Sequence, residues 1–128
     1  MKKKITVLCL VTSLFLVSAM SASAAKKDPD AETDAYIGYV VGNQKKVKGK
    51  AYARTTNSNM KKINVFGTFY EGSTQKEQGT NSTTTNGYET AWYTGEYSAT
   101  GSYKLNALSR TYYKDGTESE QSSASDSW

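Results

Sequence analysis

Between Ala25 and Trp128 the chain holds only eight Ile, Leu and Val residues (Ile37, Val40, Val41, Val47, Ile63, Val65, Leu105 and Leu108) and two phenylalanines. A thick aliphatic core is out of reach, and with a high net charge such a composition would argue for disorder. The same stretch is close to neutral and carries all ten tyrosines of the chain. Tyrosine buries a large ring while its hydroxyl reaches water or a partner, so a Tyr-, Thr- and Ala-rich chain can fold as thin β layers. The expected fold is all-β: a small antiparallel β-sandwich of about six to seven strands, with a partly open β-barrel as the alternative.

The segment before Ala25 reads as a secretory leader. Three lysines lie within Met1–Lys4, an apolar stretch runs from Ile5 to Val17, and Ala22-Ser23-Ala24 fits the small-residue pattern of signal-peptidase cleavage. That apolar stretch is shorter than the roughly 20 residues a spanning helix requires. Residues 1–24 are therefore expected to be cleaved, leaving a secreted, extracellular protein. Cys9 lies inside the apolar stretch after Leu8, where a lipoprotein signal needs a small residue, so no lipid is expected on it. Loss of the leader removes the single cysteine and three lysines, leaving thirteen basic residues against twelve acidic ones. The basic pI of 9.1 belongs mostly to the leader, and nucleic acid is not an expected partner.

After the leader, residues 25–35 read as a flexible acidic arm, 36–124 as the β domain and 125–128 as a C-terminal tail. Strands are expected at 36–41, 47–55, 61–71, 88–94, 96–108, 109–114 and 117–123, with one long strand over the fifth and sixth as the alternative. In 61–71 both faces carry rings, which marks a central strand. Tyr103, Leu105 and Ala107 alternate with Lys104 and Asn106, as in a half-buried antiparallel strand. Asp115-Gly116 supplies a two-residue hairpin loop that would pair Lys114 with Thr117. Residues 72–87 carry little apolar matter and read as a long loop or a weak edge strand.

With no histidine anywhere and no cysteine after the leader, Ser-His-Asp and Cys-His nucleophiles and the usual zinc, copper and iron ligand sets are excluded; no metal or cofactor is expected. Asp28, Asp30, Glu32 and Asp34 alternate as calcium ligands do. The sixth position counted from Asp28 is Thr33, not Gly, and the twelfth is Tyr39, not Glu, so a solvated acidic arm is the better reading. Glu71, Glu89 and Glu96 are the carboxylates available for glycoside hydrolysis, but nothing in the sequence makes two of them converge. The chain is read as a non-enzyme.

Two features bear on binding. From Ala35 to Tyr70 the chain has seven basic residues and no acid; if strands 47–55 and 61–71 are neighbours, Lys48, Lys50 and Arg54 form a basic patch toward an anionic surface. Otherwise they only solubilise a sheet face. Trp92, Tyr93 and Tyr97 cluster as a platform for sugar rings, although Trp92 in so aliphatic-poor a chain is expected in the core. The candidate ligand-binding residues are Trp92, Tyr93, Tyr97, Lys48, Lys50 and Arg54. The partner they suggest is a cell-envelope polymer, a glycan or a membrane surface.

The leading functional expectation is a non-enzymatic extracellular binding module, and a small carboxylate-based glycan-active enzyme is a third one. Between them stands a secreted antibacterial effector: small size, an export leader and a Tyr-rich, cysteine-free β body are loosely similar to the Sec-exported lactococcin-type bacteriocins. That resemblance rests on Trp92, the Tyr112-Tyr113 pair and the aromatic C-terminus; the Gly-Gly-Thr-Trp-like start of that family is missing. It implies an exported protein acting on related cells.

Overall fold

The computed structural model describes residues 25–128; residues 1–24, the expected leader with Cys9, lie outside the described residues. Seven strands form two antiparallel sheets that face each other without closing into a barrel. They are β1 (Ala31–Val40), β2 (Asn43–Thr55), β3 (Met60–Glu71), β4 (Thr74–Thr83), β5 (Thr90–Ser98), β6 (Tyr103–Tyr113) and β7 (Ser122–Ser127). One sheet has the order β1-β2-β5, the other β4-β3-β6-β7. The molecule is the small β-sandwich the composition implies.

Period-two alternation builds the interior. From one sheet Ala35, Ile37, Val47, Ala51 and Ala53 point inward, and from the other Ile63, Val65, Phe69, Tyr103, Leu105 and Ala107 meet them. Tyr103 stacks on Phe69 with ring centroids 5.3 Å apart, and Tyr97 leans on both from the facing sheet. The hydroxyl of Tyr103 donates to the Ser98 carbonyl at 2.8 Å, which satisfies the polar tip of a buried ring. Of the other eight tyrosines, Tyr36, Tyr39, Tyr88 and Tyr93 are exposed and the rest half-buried, so the interior is a blend of alanine, aliphatic residues and one aromatic trio.

Several boundaries differ from expectation, each for a local reason. Residues 31–35 belong to β1, not to a flexible arm, and Asp28 ahead of them is 5 % exposed. Its carboxylate accepts hydrogen bonds from the Thr55 and Thr111 hydroxyls, the Asn57 amide and the Asp30 N–H, and so ties the N-terminal segment to both sheets. Residues 125–128 are no free tail: β7 runs to Ser127, and Trp128 exchanges both backbone bonds with Tyr103. Residues 96–98 complete β5, and β6 is a single strand after a turn at Gly101.

The Asp115-Gly116 hairpin forms, with a different closure. Tyr113 N–H bonds the Thr117 carbonyl and Gly116 N–H bonds the Tyr113 carbonyl, while Gly116 alone takes a positive φ of 88°. This is a three-residue loop with a left-handed glycine, since Asp115 keeps negative φ and so cannot enter the mirror-image two-residue turn.

Segment 72–87 contains β4, an edge strand paired with β3 along its full length. Its inward positions are Glu77, Gly79 and Asn81, so no alternation of apolar residues betrays it. The missing apolar surface comes from across the sandwich. Trp92 of β5 inserts its ring over Gly67 and Gly79, where added Cβ atoms would approach the indole to 2.3 and 2.0 Å. Only glycine leaves that slot open.

Open sandwiches have two lateral seams, and a carboxylate bridges each. At β1/β7, Asp126 accepts from the Ile37 N–H at 2.7 Å. At β4/β5, Glu77 accepts from the Gly95 N–H at 2.9 Å and from the Tyr97 hydroxyl, while Asn81 donates to the Ala91 carbonyl at 2.9 Å. Edge strands expose unpaired N–H groups; here side chains of the opposite sheet take them.

Candidate functional site

The outer face of the three-stranded sheet brings most of the predicted residues together. β2 turns Lys48, Lys50, Tyr52 and Arg54 outward between the inward Val47, Gly49, Ala51 and Ala53. Register then sets rows across the sheet: Tyr36, Lys50 and Tyr93 form one, Asp34, Tyr52 and Ala91 the next, and Glu32 lies opposite Arg54. Strands 47–55 and 61–71 are not neighbours; they belong to different sheets, so Lys48, Lys50 and Arg54 share this face through the alternation of β2 alone.

The charges on this face are largely matched. Arg54 pairs with Glu32 at 2.8 Å, Lys50 pairs with Glu89, and the Tyr52 hydroxyl donates to Asp34 at 3.0 Å. The hydrogen bond to Glu89 raises the Lys50 pKa above its ordinary value, and the bond to Asp34 does the same for Tyr52. Lys50 therefore stays cationic, with its ammonium 4.4 Å from the centroid of the Tyr52 ring. Lys48 lies 5.1 Å from that of Tyr93. The result is a mixed surface of aromatic rings, cations and carboxylates.

Two of the six candidates lie elsewhere. Trp92 fills the slot between the sheets, as expected of a core residue and not of an exposed platform. Tyr97 packs inward on Phe69 and Tyr103, and burial together with its bond to Glu77 lifts its pKa to about 12. Tyr97 shares its parity with Tyr93 and would point outward in a regular strand. A bulge opposite Gly49 inserts one extra residue in β5 between Tyr93 and Glu96 and reverses the facing. The Thr94 hydroxyl, accepting from the Gly49 N–H at 2.8 Å, takes over a ladder position there.

Three tyrosines missing from the sequence-based set lie on or beside this face: Tyr36, Tyr52 and Tyr88. Tyr36 is 60 % and Tyr93 51 % exposed. The phenol end of Tyr36 lies directly over Gly38, since a Cβ there would come within 2.5 Å of the ring. The ring is thus laid along the sheet with its other face toward solvent. Tyr88 (67 % exposed) lines a shallow groove with Glu32, Tyr52, Arg54, Gly87 and Glu89 at one end of the face. An inward Ile37 makes Tyr36 outward by strand period alone, so this signal was present in the sequence.

The candidate catalytic carboxylates do not converge. Glu89 just precedes β5 and Glu96 lies within it, seven residues on and about 20 Å away by strand rise, far beyond the separation of about 5–9.5 Å that glycoside hydrolysis uses. Glu71 belongs to the other sheet and pairs with Lys76. Among the described residues no group of three His, Cys, Asp or Glu side chains is placed to hold a metal ion.

Comparison with protein-family models and with curated protein sequences finds no match for this chain.

Proposed function

We propose that the chain is exported, loses residues 1–24, and works outside the cell as a non-enzymatic binding module for envelope glycans. The ligand lies on the outer face of the β1-β2-β5 sheet. The observation that carries this reading is the placement of Tyr36 over Gly38 in the same row as Tyr93, with Lys50 between them. Two strand spacings separate these rings, about 9–10 Å between their backbones, which is the span of a disaccharide. Ring faces stack on the C–H faces of sugars, and the polar groups of Lys50 between them and of Tyr52, Asp34 and Glu89 beside them satisfy sugar hydroxyls. Flat, preformed aromatic surfaces require little ordering on binding.

Trp92 and Tyr97 drop out of the binding set, and Tyr36, Tyr52 and Tyr88 enter it beside Tyr93, Lys48, Lys50 and Arg54. The test is retention on purified cell wall and on insoluble polysaccharides. The unsubstituted protein should be retained, and Tyr36→Ala or Tyr93→Ala should weaken retention at least tenfold with no change in thermal unfolding. Retention of both variants at the level of the unsubstituted protein would sink the proposal. Retention that disappears in moderate salt and depends only on Lys48 and Lys50 would replace stacking with ion exchange.

A further inference from the structure

The end of the sandwich where β1 turns into β2 carries a feature that neither folding nor the tyrosine face uses. Tyr39, Val40 and Val41 run consecutively into the turn; Val41 is 100 % and Tyr39 55 % exposed. The turn needs a glycine at Gly42, whose φ is +76°, and only an ordinary negative φ at Val41. Its chemistry gives no reason for valine, because two-residue hairpins draw on Asn, Asp and Gly. A β-branched side chain held wholly in water at a loop tip loses nothing in folding if it is replaced.

The surroundings of the tip are cationic. Lys45, Lys46 and Lys48 are exposed just beyond it, and among the described residues none of them is in an ion pair. Glu96 stands opposite Lys48 in the ladder without pairing to it. Beside the tip, Trp128 meets Tyr39 edge-on with centroids 4.8 Å apart, and its indole N–H donates to the Ala99 carbonyl at 2.9 Å. Ala99 N–H in turn bonds the Lys45 carbonyl. The hairpin tip, the β5–β6 turn and Trp128 thus form one rigid end: aliphatic at the apex, aromatic behind it, lysine-rich around it.

We propose that this end docks on an anionic lipid surface. Val40 and Val41 enter the headgroup layer, Tyr39 and Trp128 lie at its polar boundary, and Lys45, Lys46 and Lys48 face the negative charges. Apolar apex, interfacial rings and flanking cations are what an interfacial anchor requires. Each lysine near such a surface contributes about fivefold in affinity, the equivalent of about 1 kcal/mol. Lys48 is shared with the sheet face, but Tyr39, Val40, Val41, Lys45, Lys46 and Trp128 are separate from Tyr36, Tyr52, Tyr88 and Tyr93, so variants at Val41, Lys45 and Lys46 test this docking apart from glycan binding.

The experiment is flotation of the polypeptide starting at Ala25, which contains every strand of both sheets, with phosphatidylglycerol-rich and with pure phosphatidylcholine vesicles at low salt. Protein should float with the anionic vesicles and at least tenfold less with the zwitterionic ones, and Trp emission should shift to the blue. Val41→Asp should abolish flotation, and Lys45→Glu with Lys46→Glu should weaken it by more than tenfold. Tyr93→Ala should float normally. Val41 touches nothing within the fold, so its variant keeps the parent's thermal unfolding, and circular dichroism verifies this. No flotation of the parent, or equal flotation of Val41→Asp, overturns the proposal. Equal affinity for both vesicle types removes the charge recognition and overturns it as well. Self-association through the tip, seen as concentration-dependent sedimentation lost in Val41→Asp without vesicle binding, assigns the tip to a second copy of the chain.

Discussion

Single residues decide this fold where the composition is thinnest. Trp92 is the largest inward side chain of its sheet, and the space it fills exists because Gly67 and Gly79 lack side chains. Trp92→Ala should therefore destabilise by about 3 kcal/mol. Gly79→Ala should cost about 1–3 kcal/mol by expelling the ring, with a red shift of Trp emission. In the Trp92→Ala background the Gly79→Ala penalty should vanish, because the clash has lost one partner; a denaturant-unfolding cycle reads this directly. Asp28 acts in the same way at the other end. Burial pushes its pKa up, but four hydrogen bonds to its carboxylate outweigh that and hold it below the ordinary value. A depressed carboxyl stabilises the fold above its unfolded pKa of about 3.9, and that stability drains as pH falls through the lower folded value. Asp28→Asn should cost about 1–3 kcal/mol at neutral pH and flatten the acid limb of a stability-versus-pH curve. An unchanged acid limb in that variant would assign the acid sensitivity to other carboxylates.

At the scale of strands, what was legible followed the two-residue period and what was hidden broke it. β3, with rings on both faces, is central as its pattern demands, and β6 alternates as Tyr103, Leu105 and Ala107 announce. β4 was legible only as the weak edge-strand alternative to a loop, because Glu77, Gly79 and Asn81 occupy inward positions and borrow their apolar cover from Trp92. Tyr97 was misplaced because a bulge is invisible in a list of residue types. Trp92 and Tyr93, by contrast, were separable from the start: consecutive residues of a strand point to opposite faces. The seam carboxylates were also unreadable, since an Asp or Glu at an inward edge position looks like solvent-facing charge until the opposite sheet is in place. They carry a prediction of their own. Asp126→Ala should leave the Ile37 N–H unpaired at the β1 edge, and Glu77→Ala should do the same for Gly95 at β5. Hydrogen exchange at those two amides should accelerate at least tenfold, each variant affecting only its own seam. Acceleration spread evenly over both sheets would mean global destabilisation and not the opening of an edge.

For the whole molecule, the proposed ligand face and the core are opposite faces of the same strands, and pH reports on the core. Tyr97 lies between the sheets with its pKa raised to about 12, and burial raises Tyr103 and Tyr113 as well. A tyrosine whose folded pKa exceeds its unfolded value of about 10 contributes stability that is whole below pH 10. That contribution is lost as pH rises through the folded value, because the unfolded chain ionises first. The sandwich should consequently weaken between about pH 10 and 12, with tyrosinate absorbance and loss of the β circular-dichroism signal rising together. Tyr97→Phe removes the ionising group and the hydroxyl bond to Glu77 but keeps the ring against Phe69. It should lower stability at neutral pH by about 1 kcal/mol and hold the remainder to higher pH than the parent does. Tyr93, exposed on the outer face, belongs to the proposed ligand surface instead, and Tyr93→Phe is the comparison variant that leaves the interior untouched. Two variants that differ by four positions on one strand thus report on opposite faces, and an identical alkaline shift in both would contradict the reversal of facing that the β5 bulge imposes.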